Sequence, residues 1–206
     1  MSGIRLSRRQ LLRSGGGVAA VGSGFTPGAI SGITSAQNDG WTASVATWNL
    51  GLGADFLSVA RGDAETPIPE RVGTRYRQVV DSRPQARTNA VAAALARERP
   101  DVVEIQEAAI VRRGPRSGGA VDDPDAGTVV ADYLADLRDA LADRGSPYRV
   151  ESTVTNADLK FPCRIDGAAA DVRVTDRDAL LLREDAEIAV EGSGNGGVRR
   201  LVDAAG

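Results

Sequence analysis

Residues 43–50 read ASVATWNL and residues 99–107 read RPDVVEIQE, and these two stretches decide the fold. Each contains a short run of β-branched and apolar residues, which predicts a buried strand. Residues 86–99 (ARTNAVAAALARER) place apolar side chains at helical spacing, and Pro100 ends the helix that they predict. A strand, a helix and a second strand in this order are typical of a layered α/β architecture.

The rest of the chain is predicted to extend this architecture with one more helix and several strands. Val130, Leu134, Leu137 and Leu141 recur at the spacing of an amphipathic helix. The early strands alternate with helices and the later ones follow each other directly, which predicts a mixed sheet flanked by helices. The further predicted strands are 148–154, 178–183 and 187–190, and the predicted loops are 51–85, 112–127 and 155–173.

The composition excludes several kinds of catalytic site. The 206 residues contain one cysteine and no histidine. One cysteine cannot form a disulfide within the chain or a cysteine-based zinc site. The absence of histidine excludes Ser-His-Asp and Cys-His triads, HExxH metalloprotease motifs and any imidazole general base. The chemistry of this chain must therefore use carboxylates, amides, hydroxyls and arginine.

Residues 1–36 have the features of an export signal. They contain four arginines, including the pair Arg8 and Arg9, and no acidic residue. A weakly apolar, glycine-rich run follows, and the small residues at 34–36 are typical of a cleavage site. This order predicts a twin-arginine signal peptide and a protein exported to the cell surface or the medium, and a basic N-terminus without a targeting role is the alternative. No segment approaches the ~18 unbroken apolar residues of a membrane-spanning helix.

The chain that follows this leader is acidic. Residues 37–206 carry 21 basic and 28 acidic side chains, a net charge of −7. This balance argues against a broad nucleic-acid-binding surface, but not against a local basic groove. Arginine supplies 24 of the 25 basic residues, and Asp outnumbers Glu by 19 to 9. Such usage indicates either a GC-rich genome or a halophilic source, in which short carboxylates keep the surface hydrated.

Two polar residues at strand ends are the candidate site. Asn49 ends the first predicted strand and Glu107 ends the second. Ligands of open α/β sheets bind outside the carboxyl ends of strands, and an amide with a carboxylate there suits Mg²⁺. The alternatives are a turn residue for Asn49 and a solvated carboxylate for Glu107. Glu104 is predicted to face away from Glu107, because side chains alternate along a strand.

These stretches resemble the first motifs of the endonuclease/exonuclease/phosphatase superfamily, in its secreted prokaryotic branch. The superfamily includes deoxyribonucleases, base-excision repair endonucleases, bacterial sphingomyelinases and inositol-phosphate phosphatases. The resemblance covers about residues 43–190. The segments that carry it are 46–50 (ATWNL), 99–107 (RPDVVEIQE), 148–150 (YRV), 155–158 (TNAD) and 172–183 (VRVTDRDALLLR).

The resemblance implies a hydrolase of phosphate esters that depends on a divalent metal. Glu107 matches the family's metal-ligand glutamate, and Asn49 matches the asparagine that helps to position metal and phosphate. The implied cofactor is Mg²⁺, Mn²⁺ or Ca²⁺, and the implied substrate is a nucleic acid or a phospholipid. The implied fold is the layered α/β sandwich of metal-dependent phosphoesterases. Arg177 precedes the 178–183 strand, where it either approaches a phosphate or forms a structural ion pair.

One departure from the family limits what the chain is expected to do alone. The family's second half supplies the catalytic aspartate and both histidines, and no matching motif occurs here. Residues 43–206 are therefore interpreted as the N-terminal portion of such a domain, inactive without a complementary C-terminal half. That half is expected to cover the sheet face that carries Val103, Ile105 and Leu181. The alternative is a non-catalytic, secreted acidic binding module derived from the same fold.

Overall fold

The computed structural model describes residues 33–38, 41–61, 65–118, 126–194 and 197–203, and within them the chain has a mixed α/β fold. The helices are α1 (Ile68–Asp81), α2 (Pro84–Glu98) and α3 (Tyr133–Ala142), with a 3₁₀-helix at Phe56–Arg61. The strands are β1 (Ile33–Asn38), β2 (Trp41–Asn49), β3 (Val102–Gln106), β4 (Ile110–Pro115), β5 (Thr128–Asp132), β6 (Tyr148–Ile165), β7 (Ala168–Arg183), β8 (Ile188–Gly194) and β9 (Gly197–Asp203).

Strand β7 is the centre of the sheet. β3 pairs antiparallel with its second half, β4 pairs antiparallel with its first half, and β6 pairs with its full length. β2 runs parallel to β3, while β1 and β5 are antiparallel to β2 and β4. Within the described residues these seven strands form one mixed sheet, which confirms the predicted α/β class. β8 and β9 form a separate antiparallel hairpin.

The main core joins the three helices to the sheet. Each helix contributes one apolar stripe, and the sheet contributes Val103, Ile105 and Leu181, which are fully buried. Burial of this kind stabilises the fold by roughly 25 cal/mol for each Å² of apolar surface removed from water. The buried helical residues are Val72, Tyr76 and Val79 of α1, Val91, Ala92 and Leu95 of α2, and Leu134, Leu137 and Leu141 of α3.

The expectation that a second half must cover Val103, Ile105 and Leu181 is wrong. Helices of this chain already pack against the core to which these three residues belong, so the residues are shielded without a partner. A second, smaller apolar cluster joins β2, β3 and β7 to Ile188 of β8, and its other members are Ala43, Val45, Val102 and Leu182. The period-two alternation of β2 and β3 divides their apolar residues between these two clusters.

All three predicted loops contain regular structure, and in the shortest of them residues 112–115 belong to β4. Residues 51–85 include the 3₁₀-helix and α1, in which Val72, Tyr76 and Val79 form a buried stripe between charged residues. Residues 155–173 belong to the long hairpin of β6 and β7. Its turn is Asp166-Gly167, and both residues have positive φ, at 50° and 81°. An Asp-Gly pair is a strong hairpin signal, because a two-residue turn of this type matches the twist of the flanking strands.

The predicted leader lies mostly outside the described residues. Residues 1–32 are not among them, while residues 33–36 form the first part of β1. β1 pairs antiparallel with β2 through six residue pairs, from Ile33 with Ala46 to Asn38 with Trp41. In the part of the chain that the structure covers, no helix has the length and apolarity needed to cross a membrane.

The Asp101 carboxylate ties together the three strands that carry the site. One oxygen accepts hydrogen bonds from the backbone N–H and hydroxyl of Ser44, at 2.8 and 2.7 Å. The other oxygen accepts from Arg183 Nη2 at 2.6 Å. The backbone N–H of Asp101 also donates to the Ser44 carbonyl, and the N–H of Arg183 donates to the Asp101 carbonyl. Asp101 therefore fixes the start of β3 relative to β2 and to the end of β7.

Replacing Asp101 by Ala should lower the free energy of unfolding by about 2–3 kcal/mol, because it leaves half-buried donors without an acceptor. Asp185→Ala is the matched control, since Asp185 also pairs with Arg183 but is largely exposed. Its cost should stay below about 1 kcal/mol. Urea unfolding followed by circular dichroism measures both values, and equal costs for the two variants would contradict this role of Asp101.

Candidate functional site

Asn49 and Glu107 are in direct contact at the carboxyl ends of two parallel strands. β2 and β3 run in register up to the pair Asn49 and Gln106, so Glu107 is the next residue beyond β3. Asn49 Nδ2 donates a hydrogen bond to Glu107 Oε1 at 2.9 Å. Asn49 is exposed and Glu107 is half-buried, so the pair is open to solvent. The structure thus brings together the two residues that the sequence singled out.

An extra residue on each side of β7 creates the space for this site. Ile105 pairs with Ala179 and Ile110 pairs with Thr175, so five steps along the β3–β4 side match four steps along β7. The extra residue falls in the connection that begins at Glu107, whose φ is +52°. A bulge with one residue in the left-handed region turns that side chain out of the normal alternation.

The same level of β6 has a second bulge. Thr155 pairs with Arg177 and Ala157 pairs with Asp176, which leaves Asn156 as the extra residue. Asn156 Nδ2 donates to Asp176 Oδ2 at 3.3 Å. At this level β7 is therefore flanked by one bulge on each side, and the polar side chains of both bulges gather around its middle.

Arg177 is a structural residue that fastens the Glu107 bulge. Its Nη2 forms an ion pair with Asp132 Oδ1 at 2.8 Å, and its Nε donates to the Ala108 carbonyl at 2.9 Å. The backbone N–H of Ala108 donates in turn to the Arg177 carbonyl at 2.7 Å. Because these groups bind the residue that follows Glu107, Arg177 holds the bulge in place, which is the ion-pairing alternative of the sequence analysis.

The loop after β2 is held against Glu107 by its backbone. The N–H of Leu52 donates to Glu107 Oε2 at 2.5 Å, and the N–H of Gly51 donates to Asn49 Oδ1 at 2.7 Å. Gly51 and Gly53 have φ values of +67° and +84°, in the region that favours glycine. A Cβ atom at Gly53 would lie 2.7 Å from the hydroxyl oxygen of Ser82. Glycine at this position therefore lets the loop lie close to α1.

Arg87 and Tyr133 hold the same loop from the helix side. Arg87 Nη2 donates to the carbonyls of Leu50 and Gly51, and Nη1 donates to Ser82 Oγ at 3.0 Å. The Arg87 guanidinium lies 5.8 Å from the centre of the Tyr133 ring. Burial raises the pKa of Tyr133, so its hydroxyl stays protonated and donates to the Leu52 carbonyl at 2.9 Å. The backbone of residues 50–52 thus has a partner on each side.

A cavity of about 230 Å³ lies next to the pair. Its lining includes three carboxylates, which belong to Asp55, Glu107 and Asp176. Burial raises the pKa of Asp176, and the negative charges of Asp178 and Glu107 raise it further, although the hydrogen bond from Asn156 lowers it. Asp176 and Glu107 line the same cavity, and negative charges on one wall favour a bound cation there.

The donor set at Glu107 fits a divalent cation held mainly by water. Among the described residues, no three cysteine, aspartate or glutamate side chains lie close enough together to hold a metal ion by themselves. Mg²⁺ usually takes one or two carboxylates and keeps several waters. Each Glu107 oxygen accepts one hydrogen bond and retains a second lone pair. Asn49 Oδ1 already accepts from Gly51, so Asn49 is better placed to orient Glu107 than to ligate strongly.

Several site residues carry no local signal in the sequence. In the sequence, nothing distinguishes Arg87 from other charged residues of a helix or Tyr133 from other aromatic residues of a core. Asp176 lies just before the predicted strand 178–183, and Asn156 falls in a predicted loop. The available signal was indirect, because β-bulges are frequent next to active sites and the resemblance already included 155–158 and 172–183. Glu104 lies within β3 and is half-buried, and it does not line the cavity.

Comparison of this chain with models of protein families, with curated proteins and with solved structures gives no match.

Arg87→Lys should loosen the loop without unfolding the chain. A lysine has one compact charge and cannot reproduce the fork that reaches Leu50, Gly51 and Ser82. We expect the Leu52 amide to exchange its hydrogen at least about tenfold faster, because a net bond energy of about 1.4 kcal/mol corresponds to that factor. Arg97→Lys, an exposed position on the same helix, is the control. Unchanged exchange at Leu52 in Arg87→Lys would contradict the role given to Arg87.

Proposed function

We propose that this chain carries the metal-binding part of a divalent-metal-dependent phosphoesterase, similar to the endonuclease/exonuclease/phosphatase superfamily. One observation carries the proposal, namely the hydrogen bond between Asn49 Nδ2 and Glu107 Oε1 at the ends of adjacent parallel strands. This is the pairing that the resemblance implies for the two residues. The finer fold assignment, a layered sandwich of the phosphoesterase type, belongs to the same proposal.

Glu107 would hold Mg²⁺, or Mn²⁺ or Ca²⁺, with Asn49 beside it to set the direction of the carboxylate. A bound divalent cation at such a site polarises a phosphoryl oxygen and stabilises the leaving oxygen. The chain's own residues keep Glu107 in a fixed position. Leu52 and Asn49 donate to its two oxygens, and Arg177 fastens the residue after it. A fixed carboxylate lowers the cost of reorganisation when a charged ligand binds.

This sequence contains no histidine that could accept the proton during hydrolysis. We therefore propose that turnover needs a complementary half that supplies the general base and the aspartate that orients water. The substrate would be a phosphate ester of a nucleic acid or a phospholipid. With residues 1–36 as a twin-arginine signal, the protein would act at the cell surface or in the medium.

A non-catalytic acidic binding module is the second candidate. The covered core favours it, because Val103, Ile105 and Leu181 are already buried under helices of this chain. A half-domain that shields its own core has no bare apolar face that demands a second half. The same residues 49 and 107 would then bind a cation or a polar partner without hydrolysing it.

Glu107→Gln should weaken the binding of Mn²⁺ or Mg²⁺ at least about tenfold, because it removes the charge that holds the ion. Glu104→Gln, three residues earlier within β3, is the matched control, and it should leave the affinity unchanged. Calorimetric titration measures the affinity, and the paramagnetic broadening of amide signals by Mn²⁺ locates the ion. Broadening centred away from residues 49–52 and 107, or loss of binding in the control alone, would overturn the choice of ligand.

The chain alone should not hydrolyse bis(p-nitrophenyl) phosphate above background with Mg²⁺ or Mn²⁺. The general base and the aspartate that orients water are missing, and the loss of one of several groups that act together removes most of the catalytic rate. Addition of a histidine-bearing second half from an enzyme of the same superfamily should give metal-dependent release of p-nitrophenol. Activity that fails to appear with any such half would favour the binding module. Turnover by the chain alone that Glu107→Ala abolishes would show that no second half is needed.

A further inference from the structure

The cavity beside Glu107 has an apolar interior. Three of its ten lining residues are carboxylates, and the other seven are apolar. They come from the loop after β2, from the 3₁₀-helix, and from β6 and β7. Phe56 and Phe161 contact each other with ring centres 5.9 Å apart and planes inclined by 27°. Leu159 and Val174 extend this apolar surface along the sheet.

The lining limits the chemistry of a group that fills the cavity. Apart from the three carboxylates, no lining side chain has a hydrogen-bonding group. A sugar, an inositol ring or the edge of a nucleobase would find side-chain acceptors only at the three carboxylates and no side-chain donor, and its other polar groups would face apolar walls. Such a polar group costs free energy when it leaves water without a new hydrogen bond. The cavity therefore favours a hydrocarbon group.

The size of the cavity limits the length of that group. A cavity of about 150 Å³ is large enough for benzene in another protein. The volume here is about 230 Å³, which fits an aromatic ring with a small substituent or a short alkyl chain. Glu107 belongs both to this wall and to the pair with Asn49, so the group would lie next to the carboxylate that holds the cation in the proposed function.

We propose that the cavity is a subsite for the organic group of an aryl or short-alkyl phosphate ester, with the phosphate on the cation that Glu107 would hold. This inference rests on the proposed function and narrows its substrate class. It predicts that phosphate esters with a hydrocarbon group bind more tightly than polynucleotides and inositol phosphates. Because the lining is anionic, the phosphate should bind only when a divalent cation is present.

The test compares phenyl phosphate with inorganic phosphate on the full 206-residue chain. Isothermal titration in the presence of Mg²⁺ gives both affinities without any need for turnover. We expect phenyl phosphate to bind at least about tenfold more tightly, because the ring leaves water for an apolar wall. Glycerol 1-phosphate, which has a polar organic group, should bind no better than inorganic phosphate. Neither aromatic nor inorganic phosphate should bind when Mg²⁺ is removed.

Ala157→Phe tests the location of the subsite. Ala157 lines the cavity from β6, and a phenylalanine there would occupy the space for the ring. The advantage of phenyl phosphate should disappear in this variant while the affinity for inorganic phosphate stays the same. Ala169→Phe makes the same change at an exposed position of β7 outside the cavity, and it should keep the advantage. The wild-type comparison stands even if Ala157→Phe fails to fold.

The titrations distinguish a wrong subsite from a wrong metal site. Equal, magnesium-dependent affinities for phenyl phosphate and inorganic phosphate would overturn the subsite and leave the metal site standing. An advantage of phenyl phosphate that survives in a folded Ala157→Phe would also overturn the subsite. If neither phosphate binds with Mg²⁺, the proposed function is wrong, and the inference that rests on it is wrong as well.

Discussion

The site depends on a mismatch in length between β7 and its two neighbours. At the level of the site, the β3–β4 side and β6 each carry one residue more than the segment of β7 that they accompany. A regular ladder would send Glu107 and Asn156 into the normal alternation of the sheet. The two bulges instead turn these side chains toward the middle of β7, where Asp176 lies. The bulge at Glu107 requires a positive φ in a residue other than glycine, which is uncommon and needs support from its surroundings. Arg177 and Leu52 supply that support.

The parts of this arrangement that could be predicted from the sequence are those that depend on local interactions. The strands that end at Asn49 and Glu107 and the helix between them follow from hydrophobic pattern and Pro100, and the parallel pairing brings those ends together. The predicted loop 155–173 was wrong although the sequence carries the signals of a hairpin there. Apolar residues occupy every second position from Ala157 to Ile165, as in a half-buried strand, and Asp166-Gly167 is typical of the turn that follows. Arg87 and Tyr133 act through backbone carbonyls 36 to 81 residues away, and no sequence pattern encodes such contacts.

The covered core changes how a half-domain can be understood. The resemblance of its motifs to a two-half enzyme predicted a sheet that lacks its cover, yet Val103, Ile105 and Leu181 are completely buried in a core that the helices share. Stability and catalysis therefore depend on different parts of the structure. The core needs the three helices, while the proposed chemistry needs Glu107 and groups that this histidine-free sequence does not contain. A chain of this kind can bury its own core and still, under the proposed function, depend on another segment for turnover.

The edge strand β1 links the fold to the fate of the leader. Four of its six residues, 33–36, belong to the predicted signal peptide, and all four pair with β2. Cleavage after Ala36 would leave only Gln37 and Asn38 of this strand in the processed protein. The backbone N–H and C=O groups of β2 that faced residues 33–36 would then be open to a strand from another molecule. Residues 33–36 thus cover this edge of β2 for as long as they remain part of the chain.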